Sequence, residues 1–187
     1  MVNVKFAKLV VILMFPGLIF AHGPTRQKVS ESVTIKAELN EAWALISDLR
    51  NIGQWHSMYK SIEKKGEDPQ PVSMFSGESG VVQILALDSE KKLFKYRLKK
   101  PGGLPVNNYS ARFRLEEGDS GKIKITYKGA FYRKFLNNDP PPEENDEAAI
   151  AAVTEMYKDT LKKFENKISK SLKKPVIVSG KSWIKKR

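Results

Sequence analysis

Three segments in the second half of the chain alternate apolar and charged residues almost without error, and a helical repeat follows them. "KLFKYRL" sets Phe94, Tyr96 and Leu98 against Lys95 and Arg97. "NYSARFRLE" sets Tyr109, Ala111, Phe113 and Leu115 against Arg112 and Arg114, and "KIKITYKGAFYR" sets Ile123, Ile125, Tyr127 and Phe131 against Lys122, Lys124 and Lys128. A period of two sends alternate side chains to opposite faces, so each segment predicts a strand with one apolar and one basic face. "EEGDSG" between the last two predicts a tight hairpin. "NNDPPPEEND" then ends the sheet, and Ile150, Val153, Tyr157, Leu161, Phe164 and Ile168 recur at helical spacing. One-sided strands need a second layer, and this one-sided helix supplies it. The expected fold is α+β: a curved antiparallel sheet wrapped around a long C-terminal helix.

The front of the chain completes the layout. "QKVSESVTIKAEL" alternates, with Val33, Ile35 and Ala37 on one side and Ser32, Thr34 and Lys36 on the other. Asn40 is placed to cap a helix, "EAWALISDL", in which Ala42, Leu45, Ile46 and Leu49 share a face. "RNIGQW" predicts a second, short helical turn ending near Trp55. "MYKSIEKKG" and "SMFSGESGVVQILAL" read as further strands with weaker patterning, separated by a loop at Pro69 to Pro71. Gly129 within its strand marks a bulge or a close approach. Glu143, Glu144, Asp146 and Glu147 fall at the start of the long helix, where its dipole favours acids.

Residues 1–21 read as a cleaved secretory signal. Lys5 and Lys8 precede an apolar run from Leu9 to Ala21, which Pro16 and Gly17 interrupt. A membrane span needs about 20 apolar residues, and this run is shorter and broken. Residues 22–170 then form a single domain, and 171–187 a basic tail. The chain has no cysteine, so thiol chemistry is excluded and packing alone must hold an exported domain, which suits a bacterial periplasm. The formal charge of +12 is concentrated at the end: Lys158 to Arg187 holds eleven basic and two acidic residues. Residues 22–157 hold twenty basic and nineteen acidic ones, so the high charge is no argument for nucleic acid as a partner. The tail, with Trp183 and Ile184 among its lysines, reads as a solvated end, a basic arm or a lipid contact.

Catalysis needs a titratable group in a cleft, tuned by its neighbours. The inward faces offer Val, Ile, Ala, Phe, Leu and Tyr, with no Asp, Glu, His or Lys, and no nucleophile motif is present. His22 and His56 are the only histidines, so no metal site is expected. His56 beside Trp55 reads as a packing histidine near the rim of a cavity rather than a general base. Trp55, His56, Tyr96, Tyr109, Phe113, Tyr127, Phe131 and Tyr157 are the candidate cavity lining. On the other face, Lys28, Lys36, Lys95, Arg97, Arg112, Arg114, Lys122, Lys124 and Lys128 form either an ordinary solvated surface or a docking surface for an acidic protein.

The order of elements, with "SVTIKAELNEAWALISDLRNIGQWHS" at its front, resembles the polyketide cyclase/dehydrase branch of the START-like, or helix-grip, superfamily. That group often has proline after the histidine; this chain has Ser57. "HGPTRQKV", "LPVNNYSARFRL", "GAFYR" and "PPPEENDEAAIAAVTEMY" are together similar to the MxaD-type periplasmic accessory proteins of methanol oxidation. That resemblance implies a cofactor-free helper, acting between a pyrroloquinoline-quinone methanol dehydrogenase and its acceptor, cytochrome c-L. A carrier of a small apolar ligand is the alternative that the superfamily implies, and a cyclase-like enzyme the third.

Overall fold

The computed structural model describes residues 23–63, 72–75 and 81–172. The expected signal segment, the Pro69 to Pro71 loop and the tail from residue 173 onward lie outside them. The chain runs β1 (Gln27–Lys36), α1 (Leu39–Ser47), a 3-10 turn (Leu49–Gln54), β2 (Tyr59–Glu63), β3 (Val72–Phe75) and β4 (Val81–Asp88). It continues through β5 (Leu93–Lys100), β6 (Val106–Glu117) and β7 (Lys122–Arg133), a short 3-10 turn (Pro142–Glu144) and α2 (Asp146–Leu172). The strands form one antiparallel sheet in the order β1-β7-β6-β5-β4-β3-β2, so the first strand lies beside the last. This is the helix-grip arrangement expected, with α2 covering the inner face.

The alternation holds through β5, through β6 from Tyr109 onward, and through β7. Phe94, Tyr96, Tyr109, Phe113, Leu115, Ile123, Ile125, Tyr127 and Phe131 are all buried, and the charged residues between them are exposed. Burying each large apolar side chain contributes about 1.5–3 kcal/mol, so this inner face dominates the stability. The β6–β7 hairpin closes through Gly118 N–H donating to the Lys122 carbonyl at 2.9 Å. Its turn places Ser120 and Gly121 at positive φ, 57° and 68°.

Local expectations are corrected at three places. α1 begins at Leu39, not after an Asn40 cap, and Glu38 occupies the cap position without a side-chain bond. Ala37 is still buried as the strand's last inward residue, so the chain turns into the helix at once and Asn40 falls inside the first turn. Leu49 belongs to the following 3-10 turn rather than to α1, because the Asp48 carboxylate accepts the Arg50 N–H and restarts the chain there. On α2, Ile150 is exposed and fully buried Ala149 takes its place in the stripe. That stripe runs through Ala149, Val153, Tyr157, Thr160, Phe164 and Ile168, which leaves Ile150 about 100° off its line.

The loop from β7 to α2 is fixed by charge. Arg133 Nη1 donates to Asp146 Oδ2 at 3.0 Å, and its other nitrogens donate to the carbonyls of Phe135 and Asn137. Lys134 pairs with Glu144 at 2.6 Å. Two of the four acids at the head of α2 are therefore already partnered within the fold.

Candidate functional site

Trp55, the C-cap of the 3-10 turn, points into the core, and the turn is tied to α2 from both sides. Lys163 Nζ donates to the carbonyls of Gly53 and His56, each at 2.9 Å, satisfying the turn's last acceptors. Ser57 N–H donates to Thr160 Oγ1 at 3.2 Å, and Ser57 Oγ meets Thr160 Oγ1 and the Met156 carbonyl. A proline at 57 would remove that N–H. Ser57 thus makes a local anchor of its own, and Thr160 is a polar residue on the apolar stripe because it receives it.

Held this way, His56 is buried rather than at a rim. Met58 N–H donates to its Nδ1 at 3.2 Å, so the proton is on Nε2, which donates to Tyr127 Oη at 2.8 Å. Burial pushes the His56 pKa well below its ordinary value, with the Lys163 charge adding to the effect. The ring is neutral, and both nitrogens are engaged.

A chain of hydroxyls continues from it. Tyr127 Oη bonds closely to Tyr96 Oη; Tyr96 Oη lies 3.3 Å from Tyr109 Oη; and Tyr109 donates to Tyr157 Oη at 2.9 Å. Tyr59, which the sequence reading passed over, lies with its ring 3.9 Å from that of His56 and also bonds Tyr96. Burial raises the pKa of all five phenols, so each remains neutral. The rings of Tyr127 and Tyr157 stack with centroids 3.7 Å apart. Gly129 is what lets Tyr157 in: a Cβ there would stand 2.1 Å from the Tyr157 hydroxyl and 2.9 Å from the Ser110 carbonyl. It is a close approach, and the irregularity of the β6–β7 pair lies elsewhere, between Asn107 and Ser110.

All eight candidate lining residues therefore meet in the interior, with Phe113 and Phe131 packed among the tyrosines. Trp55 packs against Phe94, Phe113 and Phe164, and its buried Nε1 has no acceptor among the described residues. Among these residues no cluster of three or more His, Asp or Glu could hold a metal ion.

The outer face of β1, β5, β6 and β7 is different. It presents Lys28, Lys36, Lys95, Arg97, Lys99, Arg112, Arg114, Lys122, Lys124 and Lys128, and one carboxylate, Glu116. Glu116 pairs with Arg114 at 3.3 Å. Register puts Lys36 directly opposite Lys122, Lys95 opposite Arg112, and Arg112 opposite Lys128.

Comparison with known proteins gives this architecture a family. Residues 26–169 match the model for polyketide cyclase / dehydrase and lipid transport proteins. The chain belongs to that family. Among solved structures, this family member is similar to the protein XoxI from Bacillus cereus, at 18% identity and a TM-score of 0.65 over 78% of this chain and 97% of that one. It is similar to the Zhui aromatase/cyclase from Streptomyces sp. R1128, at 16% identity and a TM-score of 0.63 over 79% and 96%. A START superfamily protein from Mycobacterium smegmatis gives 14% identity and a TM-score of 0.60 over 77% and 98%. At such identities the likeness is one of fold. No curated protein matches the chain by sequence.

Proposed function

We propose that this family member is an exported, non-enzymatic accessory protein that docks acidic partner proteins on its basic outer face. The carrying observation is the imbalance of that face, ten cations to one carboxylate, on a body that is nearly neutral as a whole. Such a surface raises encounter rates with an acidic partner and orients it. The resemblance to the MxaD-type proteins supplies the setting: the periplasm, with methanol dehydrogenase, its acceptor cytochrome c-L, or both as partners. The protein would then speed electron transfer between them without a cofactor of its own. The test is dehydrogenase-to-cytochrome electron transfer at low salt with charge reversal at Arg112, Lys122 and Lys124. A loss that added salt mimics in the native protein is expected; unchanged transfer would overturn the proposal.

A second reading, a carrier of a small apolar ligand, is favoured by one observation. Trp55 Nε1 is a buried donor without an acceptor among the described residues, and a ligand oxygen placed there would remove the cost of about 1–3 kcal/mol. The family description includes lipid transport. Native mass spectrometry of the purified protein decides it: a bound apolar molecule supports a carrier, and its absence counts against one.

A further inference from the structure

The basic outer face is not uniform. At the Lys36 end, Lys122 and Lys124 share a depression with Glu116, Glu117 and Asp119, so their charge is met locally. In the middle of the sheet the situation reverses. A groove of about 240 Å³ is lined by Lys28, Lys95, Arg112 and Lys128, together with Ser110, Ala111, Gly129 and Ala130, and none of these is acidic. Small residues make its floor and long cations its walls. Arg26 reaches the same place, donating to Ser110 Oγ at 3.4 Å.

Lys95, Arg112 and Lys128 stand directly opposite one another on three adjacent strands, and among the described residues none of them is ion-paired. Like charges in directly opposed positions destabilise a sheet. Among the described residues only solvent screening moderates that repulsion, so an anionic partner seated there would relieve it.

We infer that this groove is the anchor point of the docking face, and that it takes a run of carboxylates from an acidic segment of a partner protein. The inference rests on the docking proposal above and narrows it to one row of residues. With strands about 4.8 Å apart, the row extends roughly 10 Å across the sheet. A linear row fits a linear array of carboxylates. From Ser110 onward β6 is paired with β7, so the groove offers a row of side-chain cations rather than the converging backbone N–H groups of a compact phosphate nest.

The test uses a fluorescent deca-glutamate peptide, titrated at low salt and read by fluorescence anisotropy. Two variants remove the same charge from the same face: Lys95→Gln/Arg112→Gln/Lys128→Gln in the groove, and Lys36→Gln/Lys122→Gln/Lys124→Gln beside it. Circular dichroism verifies that both are folded, as exposed substitutions should be. The inference expects about tenfold weaker binding for the groove variant and a smaller loss, about twofold, for the other, whose lysines belong to the docking face but not to the groove. Equal losses would overturn the groove while leaving the docking face standing. No binding to the native protein would overturn both. A heparin fragment that binds where deca-glutamate does not would make the groove a sulfate or phosphate site, which also overturns the inference.

Discussion

The inner and outer faces of β1, β5, β6 and β7 are built from alternate residues of the same strands, yet they handle polarity in opposite ways. Inside, the His56 and tyrosine groups are linked one to the next, from Met58 N–H through His56, Tyr127, Tyr96 and Tyr109 to Tyr157. Outside, Lys95, Arg112 and Lys128 face one another without a carboxylate among them. Burial makes an unpaired polar group costly, so the imidazole and hydroxyls of the interior satisfy one another, and Trp55 Nε1 is the exception on that side. Water screens the exterior, so repulsion can persist there at modest cost. A polar arrangement that the fold leaves unresolved is thus more informative about partners than one that it completes.

The largest effect should come from closing the space that the inner face leaves at Gly129. Gly129→Ala is expected to destabilise by about 3 kcal/mol, because its Cβ would overlap the Tyr157 hydroxyl and crowd the Ser110 carbonyl. Adding Tyr157→Phe should recover part of the loss, since the hydroxyl is the nearer of the two obstacles. Urea unfolding of the two single variants and the double variant measures this as a coupling between positions. A Gly129→Ala protein as stable as the parent would show that Tyr157 does not lie against the strand.

His56 sharpens the comparison by pH. Its folded pKa lies below its unfolded value of about 6.5, so the unfolded chain takes up a proton that the native one refuses. The stability from neutral His56 is therefore complete above pH ~6.5 and declines as pH falls below it, by up to about 1.4 kcal/mol per unit until the folded pKa is reached. Asp48 and Asp88, whose pKa values are lowered by Arg50 and by the Lys91 backbone, titrate in a more acidic range. Urea midpoints at pH 7.5 and pH 5 should differ in the native protein and converge in His56→Gln, which is less stable at both. An unchanged pH dependence in the variant would place its origin elsewhere.

Both faces were legible in the sequence because a half-buried strand writes inside and outside at a period of two. Partners within a face were not, because they depend on register and on where separate elements meet. Nothing in "NYSARFRLE" says that Arg112 will stand between Lys95 and Lys128. The tyrosines could be assigned inward, but their hydroxyl chain exists only once β5, β6, β7 and α2 converge. Tyr59 escaped notice in a weakly patterned strand, Lys99 because the apolar alternation stops at Leu98, and Thr160 because a lone polar residue on a helical stripe carries no sign of its receiver. Ser57 did stand out, as a departure from the resembling family, though its bond to Thr160 required the structure. Gly129 was legible as an anomaly whose cause lay 28 residues away, at Tyr157.

The smallest effect tests the outer face alone, and its sign matters more than its size. Arg112→Gln removes the middle charge of three and should stabilise the protein by about 0.2–1 kcal/mol, or roughly 1–3 °C in melting temperature. That gain should shrink in 0.5 M salt, where the repulsion is screened over a few ångströms. Arg114→Gln is the matched control. It lies two residues along the same strand and on the same face, but its guanidinium is paired with Glu116, so its removal should bring no gain. Calorimetric melting of both variants at two salt concentrations separates the cases. If Arg112→Gln lowered the melting temperature, the guanidinium would be serving the fold, and the contrast between a satisfied interior and an unsatisfied exterior would fail at its central residue. If stability rises while deca-glutamate binding falls, the charge is one that the fold bears for a partner's sake.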